Sequence, residues 1–133
     1  MNTTDDRIEL FETRGGTLVR RGETVVGLEP VAVAFRGESE LFVVNHLSDS
    51  VSVVEATDAD RPFVKATLLV GDEPRDVALA GARRTRLFVT AAARGQNRPG
   101  SPPATTPGVG RADLWVFDLE EPAKAPAIVT LFC

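Results

Sequence analysis

Short apolar segments rich in Val, Leu and Phe recur along the chain, and residues that favour turns separate them. The segments at 31–35, 41–44, 51–54 and 68–70 are apolar nearly throughout, and Gly, Pro, Asp and Ser lie between them. Segments of this length and composition predict β-strands. Strands without polar alternation are typical of positions that are buried on both faces. No apolar stripe at helical spacing competes with this interpretation, and nine prolines interrupt the chain.

The strand segments form a repeat of four elements in a fixed order. The first element, at 27–34, returns 44 residues later at 71–78, and the second, at 41–45, returns 46 residues later at 87–91. The third and fourth elements recur in the same order, at 7–12, 50–55 and 113–118 and at 64–70 and 127–132. A period of about 40–45 residues that carries four short strands is the signature of β-propeller blades.

The repeat predicts the organisation of the whole chain. Residues 1–28 are expected to form the two outer strands of one blade, residues 29–70 a complete blade, and residues 71–133 a second blade with a long insertion at 94–110. The predicted fold is therefore all-β, an incomplete β-propeller of four-stranded antiparallel blades. Because blades bury their faces against one another, we expect an open apolar face at each end of such a segment.

Three stretches of the sequence resemble one known repeat family. Residues 41–45 (Leu-Phe-Val-Val-Asn) stand where that family has a Tyr-Val-Thr-Asn-like strand, residues 50–55 match the strand after it, and residues 70–78 match the link into the next blade. The chain thus resembles the YVTN-type β-propeller repeat family. The resemblance implies a fragment of a seven-bladed ring from an exported, periplasmic or extracellular protein, sometimes fused to cytochrome c-like domains.

Composition narrows the possible partners. The net charge is −4 with both signs scattered, so there is no basic stripe for nucleic acid or an anionic membrane. No apolar segment is long enough to span a bilayer, and the first residues lack the basic and apolar regions of a signal peptide. The single cysteine, Cys133, cannot form an internal disulfide or a C-x-x-C site. We predict no cofactor in this segment, and the compartment stays open.

Polar residues gather in the loops that a propeller would place on one shared face. They have two interpretations: a ligand site, or the ordinary chemistry of turns. His46 is the only histidine, and it lies too close along the chain to Ser48 and Asp49 to form a catalytic triad with them. We predict neither catalytic residues nor a metal site. The candidate ligand-binding residues are Asn45, His46, Asp49, Glu73, Arg75 and Asp76, together with Arg94 and Gln96 in the insertion.

Two further features bear on function. The insertion at 94–110 contains four prolines and four glycines, which favours either a loop that contacts a partner or a flexible one. Trp115 lies between Leu114 and Val116 in a predicted strand, and we expect it to pack in the core.

These observations favour a non-enzymatic binding or scaffold module. Its expected partners are further blades, from the same chain or from another copy, and a protein or small-molecule ligand at the loop face. The alternative is part of a propeller-based oxidoreductase, associated with cytochrome c, or of a hydrolase, with most catalytic residues outside this segment.

Overall fold

The computed structural model describes residues 5–92 and 111–132, and the regular structure there is almost entirely β. These residues contain ten strands, which lie where the repeat predicts them, and no α-helix. The predicted insertion at 94–110, with Arg94 and Gln96, lies outside the described residues.

The first unit is a two-stranded antiparallel hairpin, called the first hairpin below. Its strands are β1 (Arg7–Arg14) and β2 (Thr17–Val25). Gly15 and Gly16 connect them with φ angles of 55° and 81°. A two-residue hairpin turn needs positive φ at both positions to match the strand twist, and glycine adopts this conformation without steric cost.

The second unit, the middle sheet, has four antiparallel strands in chain order. They are β3 (Pro30–Arg36), β4 (Glu40–Asn45), β5 (Ser50–Glu55) and β6 (Phe63–Leu69).

The third unit, the last sheet, repeats this arrangement. Its strands are β7 (Asp72–Ala80), β8 (Arg86–Ala92), β9 (Arg111–Asp118) and β10 (Ala127–Phe132), and a single 3₁₀ turn at Ala82–Arg84 connects the first two. The predicted four-stranded antiparallel sheets are therefore confirmed, and the boundaries after residues 28 and 70 fall in the links between units.

The centre of the middle sheet, strands β4 and β5, is covered on both faces. One face packs its buried Leu41, Val43 and Val54 against Ile8 of the first hairpin. The opposite face packs against the last sheet in the larger core cluster, where Trp115 is buried as expected and stacks on Phe117. The other buried members of that cluster are Phe42, Val44, Val51, Val53, Val70, Leu87, Val89 and Ala91.

Whether an apolar strand of the middle sheet is buried depends on the units packed against it as well as on its own sequence. Strands β4 and β5 are buried on both faces, as their apolar segments predict. Strand β3 is different, because Val33 and Phe35 are 38% and 48% exposed. The first hairpin packs against β4 and β5, and no strand among the described residues covers Val33 and Phe35 of β3.

The outer face of the first hairpin, where an apolar open face is expected, carries ion pairs together with exposed apolar side chains: Val25, paired with Arg7, is 68% exposed, and Phe11, paired with Arg20, is 49% exposed. Glu9 and Glu23 pair across its outer face, where Arg7 contacts Glu23 and Arg20 contacts Glu9, both at 3.2 Å. Because side chains alternate along a strand, the apolar Ile8 points the other way, into the core. This outer face is therefore mixed, with ion pairs beside exposed apolar side chains.

Candidate functional site

The structure brings together four of the predicted site residues where the middle sheet meets the last sheet. Asn45, His46 and Asp49 lie at the end of β4 and in the turn after it, and Glu73 lies at the start of β7. The Asp49 carboxylate accepts a hydrogen bond from the Glu73 backbone N–H at 2.8 Å. The His46 ring nitrogen Nδ1 lies 3.1 Å from the carbonyl oxygen of Pro74. These contacts join the two sheets.

Asn45 organises the turn between β4 and β5. It is fully buried, and its Nδ2 donates to the hydroxyls of Ser50 and Ser52 at 3.1 and 2.9 Å. Gly27 lies directly against it, since a Cβ at that position would come within 2.6 Å of Asn45 Cγ. A glycine is required here because the backbone approaches the amide too closely for any side chain.

The contact between Asp49 and Glu73 has a counterpart one repeat earlier. The Glu29 N–H donates to Asp6 Oδ1, also at 2.8 Å. The carbonyls of the two aspartates accept further bonds, from Val26 to Asp6 at 2.8 Å and from Val70 to Asp49 at 3.0 Å. We call this pair of bonds the junction link. It connects each unit of the structure to the next.

All four Asp and Glu residues of the junction links have left-handed backbone conformations. Their φ angles are 51° at Asp6, 53° at Glu29, 47° at Asp49 and 48° at Glu73. Aspartate tolerates this region, whereas glutamate adopts it at a cost and persists there only when surrounding contacts fix the backbone. Asp49 and Glu73 are thus explained as structural residues, and a ligand role for them stays a prediction.

The other predicted site residues in the described part of the chain lie on β7. Arg75 and Asp76 are exposed on β7, and Asp76 Oδ1 accepts a bond from the neighbouring Val77 N–H at 2.8 Å. The Ser48 hydroxyl lies 3.0 Å from Ser50 Oγ and accepts a bond from the Leu28 N–H at 3.1 Å. The serine closest in sequence to His46 is therefore engaged in holding the turn.

The candidate residues predicted from the sequence leave out two members of this arrangement, Asp6 and Glu29. They repeat Asp49 and Glu73 at offsets of 43 and 44 residues, so the repeat itself contained the signal.

The structure also shows no group of three or more His, Cys, Asp or Glu side chains suited to a metal within 5–92 and 111–132. These same residues form no helix with the length and hydropathy that crossing a membrane requires.

The fold and site thus define an all-β protein built from stacked four-stranded antiparallel sheets. No protein-family model matches the chain, and no curated protein matches it in sequence. Among solved structures it is similar to a functionally unknown protein from Desulfotomaculum acetoxidans DSM 771, with a TM-score of 0.66 and 14% identity. The match covers 98% of this chain but only 37% of that protein, and at this identity it is informative about the fold alone.

Proposed function

We propose that this chain is a non-enzymatic scaffold or binding module, a segment of a β-propeller of the YVTN type. In this proposal the middle and last sheets are successive blades, and the first hairpin is the outer half of the blade before them. The observation that carries the proposal is the junction link, which occurs with the same bonds and the same backbone conformation at both junctions.

A repeated junction has a geometric consequence. When each unit is joined to the next by the same contacts, further units follow the same rotation, which produces a closed ring or an open solenoid. The YVTN resemblance favours the ring, with seven blades and an exported parent protein. The site residues support a scaffold role, since Asn45, His46 and Asp49 direct polar atoms to the chain itself.

The open face of the last sheet is the proposed binding surface for a further blade. Phe88, Leu114 and Val116 on this face are only partly buried. One repeat earlier, the same positions hold Phe42, Val51 and Val53, which are at most 6% exposed because the last sheet covers them.

The proposal is tested by the association of the purified chain in solution. We expect the protein to self-associate with rising concentration in sedimentation velocity runs, because an apolar sheet face in water favours contact with another surface. Leu114→Asp should make it monomeric. Leu69→Asp is the matched control, since Leu69 is 59% exposed on β6, away from this face.

Two results decide the matter. Loss of association in Leu114→Asp alone, with an unchanged circular dichroism spectrum, supports a face that binds another sheet. Equal behaviour of the two variants, or a wild-type chain that stays monomeric throughout, would contradict the proposed role of the face.

A further inference from the structure

Two features at the first junction are uncovered within the described residues: one edge of β1 and two apolar side chains of β3. Within the described part of the chain, β1 pairs only with β2. Its counterpart one repeat later, β5, pairs with β6 on one side and with β4 on the other. Among the described residues, the first hairpin therefore has no counterpart of the two inner strands that the middle and last sheets contain.

The uncovered apolar side chains at this junction are Val33 and Phe35 of β3. They pair with Val43 and Leu41, so they share the face of the middle sheet on which the first hairpin lies. Yet they are 38% and 48% exposed, whereas Val43 and Leu41 are buried.

The last sheet shows what such positions look like when they are covered. Val77 and Leu79 are the counterparts of Val33 and Phe35, and they are packed against the core between the two sheets. Strands β3 and β4 supply that cover through their contacts with β7. The inner strand pair of one unit thus covers the inner strand of the next.

We propose that the edge of β1 is a strand-addition site for an antiparallel β-hairpin of this chain's own repeat type. Its inner strand would carry small residues, as Ala32 and Ala34 do in β3, and its second strand would pair with β1. This partner assignment rests on the proposed function, since it extends the stacking of sheets to the other end of the segment.

The register within the middle sheet specifies the contacts. Phe42 and Val44 of β4 lie opposite Val53 and Val51 of β5. The counterparts of the last two in β1 are Leu10 and Ile8. The added strand therefore needs a Phe-like residue opposite Leu10 and a Val-like residue opposite Ile8. Addition of a strand to a free sheet edge combines main-chain hydrogen bonds with side-chain selection of this kind.

The experiment supplies this hairpin covalently. A second copy of residues 27–48 is inserted directly before Asp6, the counterpart of Asp49, so that the insert joins β1 as β4 joins β5. The reporter is Phe35→Cys in a Cys133→Ser, Leu114→Asp background, which excludes association through the last sheet. We expect the rate of thiol modification at position 35 to fall by roughly tenfold or more, and β1 amides to become protected from hydrogen exchange.

A matched insert provides the control. The same insert with its Phe42 and Val44 changed to Asp should leave position 35 as reactive as in the chain without an insert. If the intact insert slows modification no more than this control does, while both proteins are folded by circular dichroism, the strand-addition site is refuted. That failure would leave the association test on the last sheet unaffected.

Discussion

The middle and last sheets have the same strand order and the same pairing register but different surroundings. Leu41 pairs with Val54 in one sheet, as Leu87 pairs with Phe117 in the other. In the middle sheet every residue of β4 after the first is buried, whereas burial alternates along β8. The repeat in the sequence thus specifies the path of the strands, while burial of the second face depends on whether a neighbouring sheet is present.

The two sheets also fill the space beneath their linking glycines differently. In the middle sheet, Gly27 lies on the amide of Asn45, which bonds to two serines. In the last sheet, a Cβ at Gly71 would lie 2.9 Å from the indole nitrogen of Trp115, which occupies the position of Ser52. The same backbone approach is therefore compatible with a polar network or with a large aromatic ring.

The largest expected difference between the sheets comes from a charge on their equivalent faces. Val51→Asp places a carboxylate in a fully buried position and should cost more than about 4 kcal/mol, which abolishes folding of a marginally stable domain. Leu114→Asp, at the counterpart position on the open face, should cost less than about 1 kcal/mol. Urea unfolding of both variants under dilute, monomeric conditions measures the difference. Similar losses would mean that the open face is covered within the chain.

The second prediction compares the two residues beneath the linking glycines. Trp115→Ala leaves a large cavity in the main core cluster and should cost about 3–5 kcal/mol. Ser52→Ala removes one hydrogen-bonding group and should cost about 1 kcal/mol. Denaturant midpoints measure both, and Trp115→Phe, which keeps much of the ring volume, should fall between them. A Trp115→Ala cost below that of Ser52→Ala would contradict the assignment of this ring as a core element.

Much of the fold was predictable from the sequence because it depends on local composition and repetition. The ten strands and the burial of Trp115 follow from the repeat and from strand chemistry. The exposure of Val33 and Phe35 was not predictable, since it depends on which strands lie above β3. The ion pairs on the outer face of the first hairpin join β1 to β2, so they depend on the pairing register of that hairpin.

The candidate site was predictable only as a location. The sequence places Asn45, Asp49 and Glu73 in neighbouring loops, but their roles depend on hydrogen bonds that join residues 5 to 24 positions apart. The left-handed conformation of Glu73 is not signalled by its residue type, because glutamate is not among the residues that favour this region.

The third prediction concerns the junction link itself. Asp49→Ala removes the acceptor for the Glu73 N–H and should cost about 1–2 kcal/mol, and Asp6→Ala should cost a similar amount at the first junction. Because the two links share no partners, the double variant should show an additive loss within about 0.5 kcal/mol in thermal or urea unfolding. A loss confined to Asp49 would show that the first junction does not depend on its link.

A fourth, smaller effect tests the strain at the junctions. At Glu29, with φ of 53°, the left-handed conformation costs about 1–2 kcal/mol of folding free energy, which glycine would not incur. Glycine is also more flexible in the unfolded chain, and this offsets about 0.4–1 kcal/mol of the gain. Glu29→Gly should therefore stabilise the protein by about 0.5–1 kcal/mol in urea unfolding. Thr24→Gly, within β2, is the control and should be destabilising. Destabilisation by Glu29→Gly as well would indicate that the glutamate side chain outweighs the strain.

The smallest expected effect is a pH dependence that differs between the sheets at the counterpart residues Glu55 and Asp118. Hydrogen bonds from the Thr57 hydroxyl and the Lys65 ammonium lower the pKa of Glu55 from 4.5 to about 2. Since the folded pKa lies below the unfolded one, this stabilisation is complete above about pH 4.5 and is lost as the pH falls towards about 2. Partial desolvation acts to raise the pKa of Asp118, but the Glu120 N–H and Arg86 lower it below its ordinary value.

The wild type should therefore melt above Glu55→Gln by a constant margin at pH values above about 4.5, and this margin should shrink as the pH falls towards about 2. Asp118→Asn should show the same direction of change, in a window that opens below the ordinary aspartate pKa of 3.8. Raised salt should reduce the part of each effect that comes from Lys65 and Arg86, because exposed ion pairs are screened, and should leave the part from Thr57. If the difference in melting temperature between the wild type and Glu55→Gln stays constant across this pH range, the pKa of Glu55 is the same in the folded and unfolded chains.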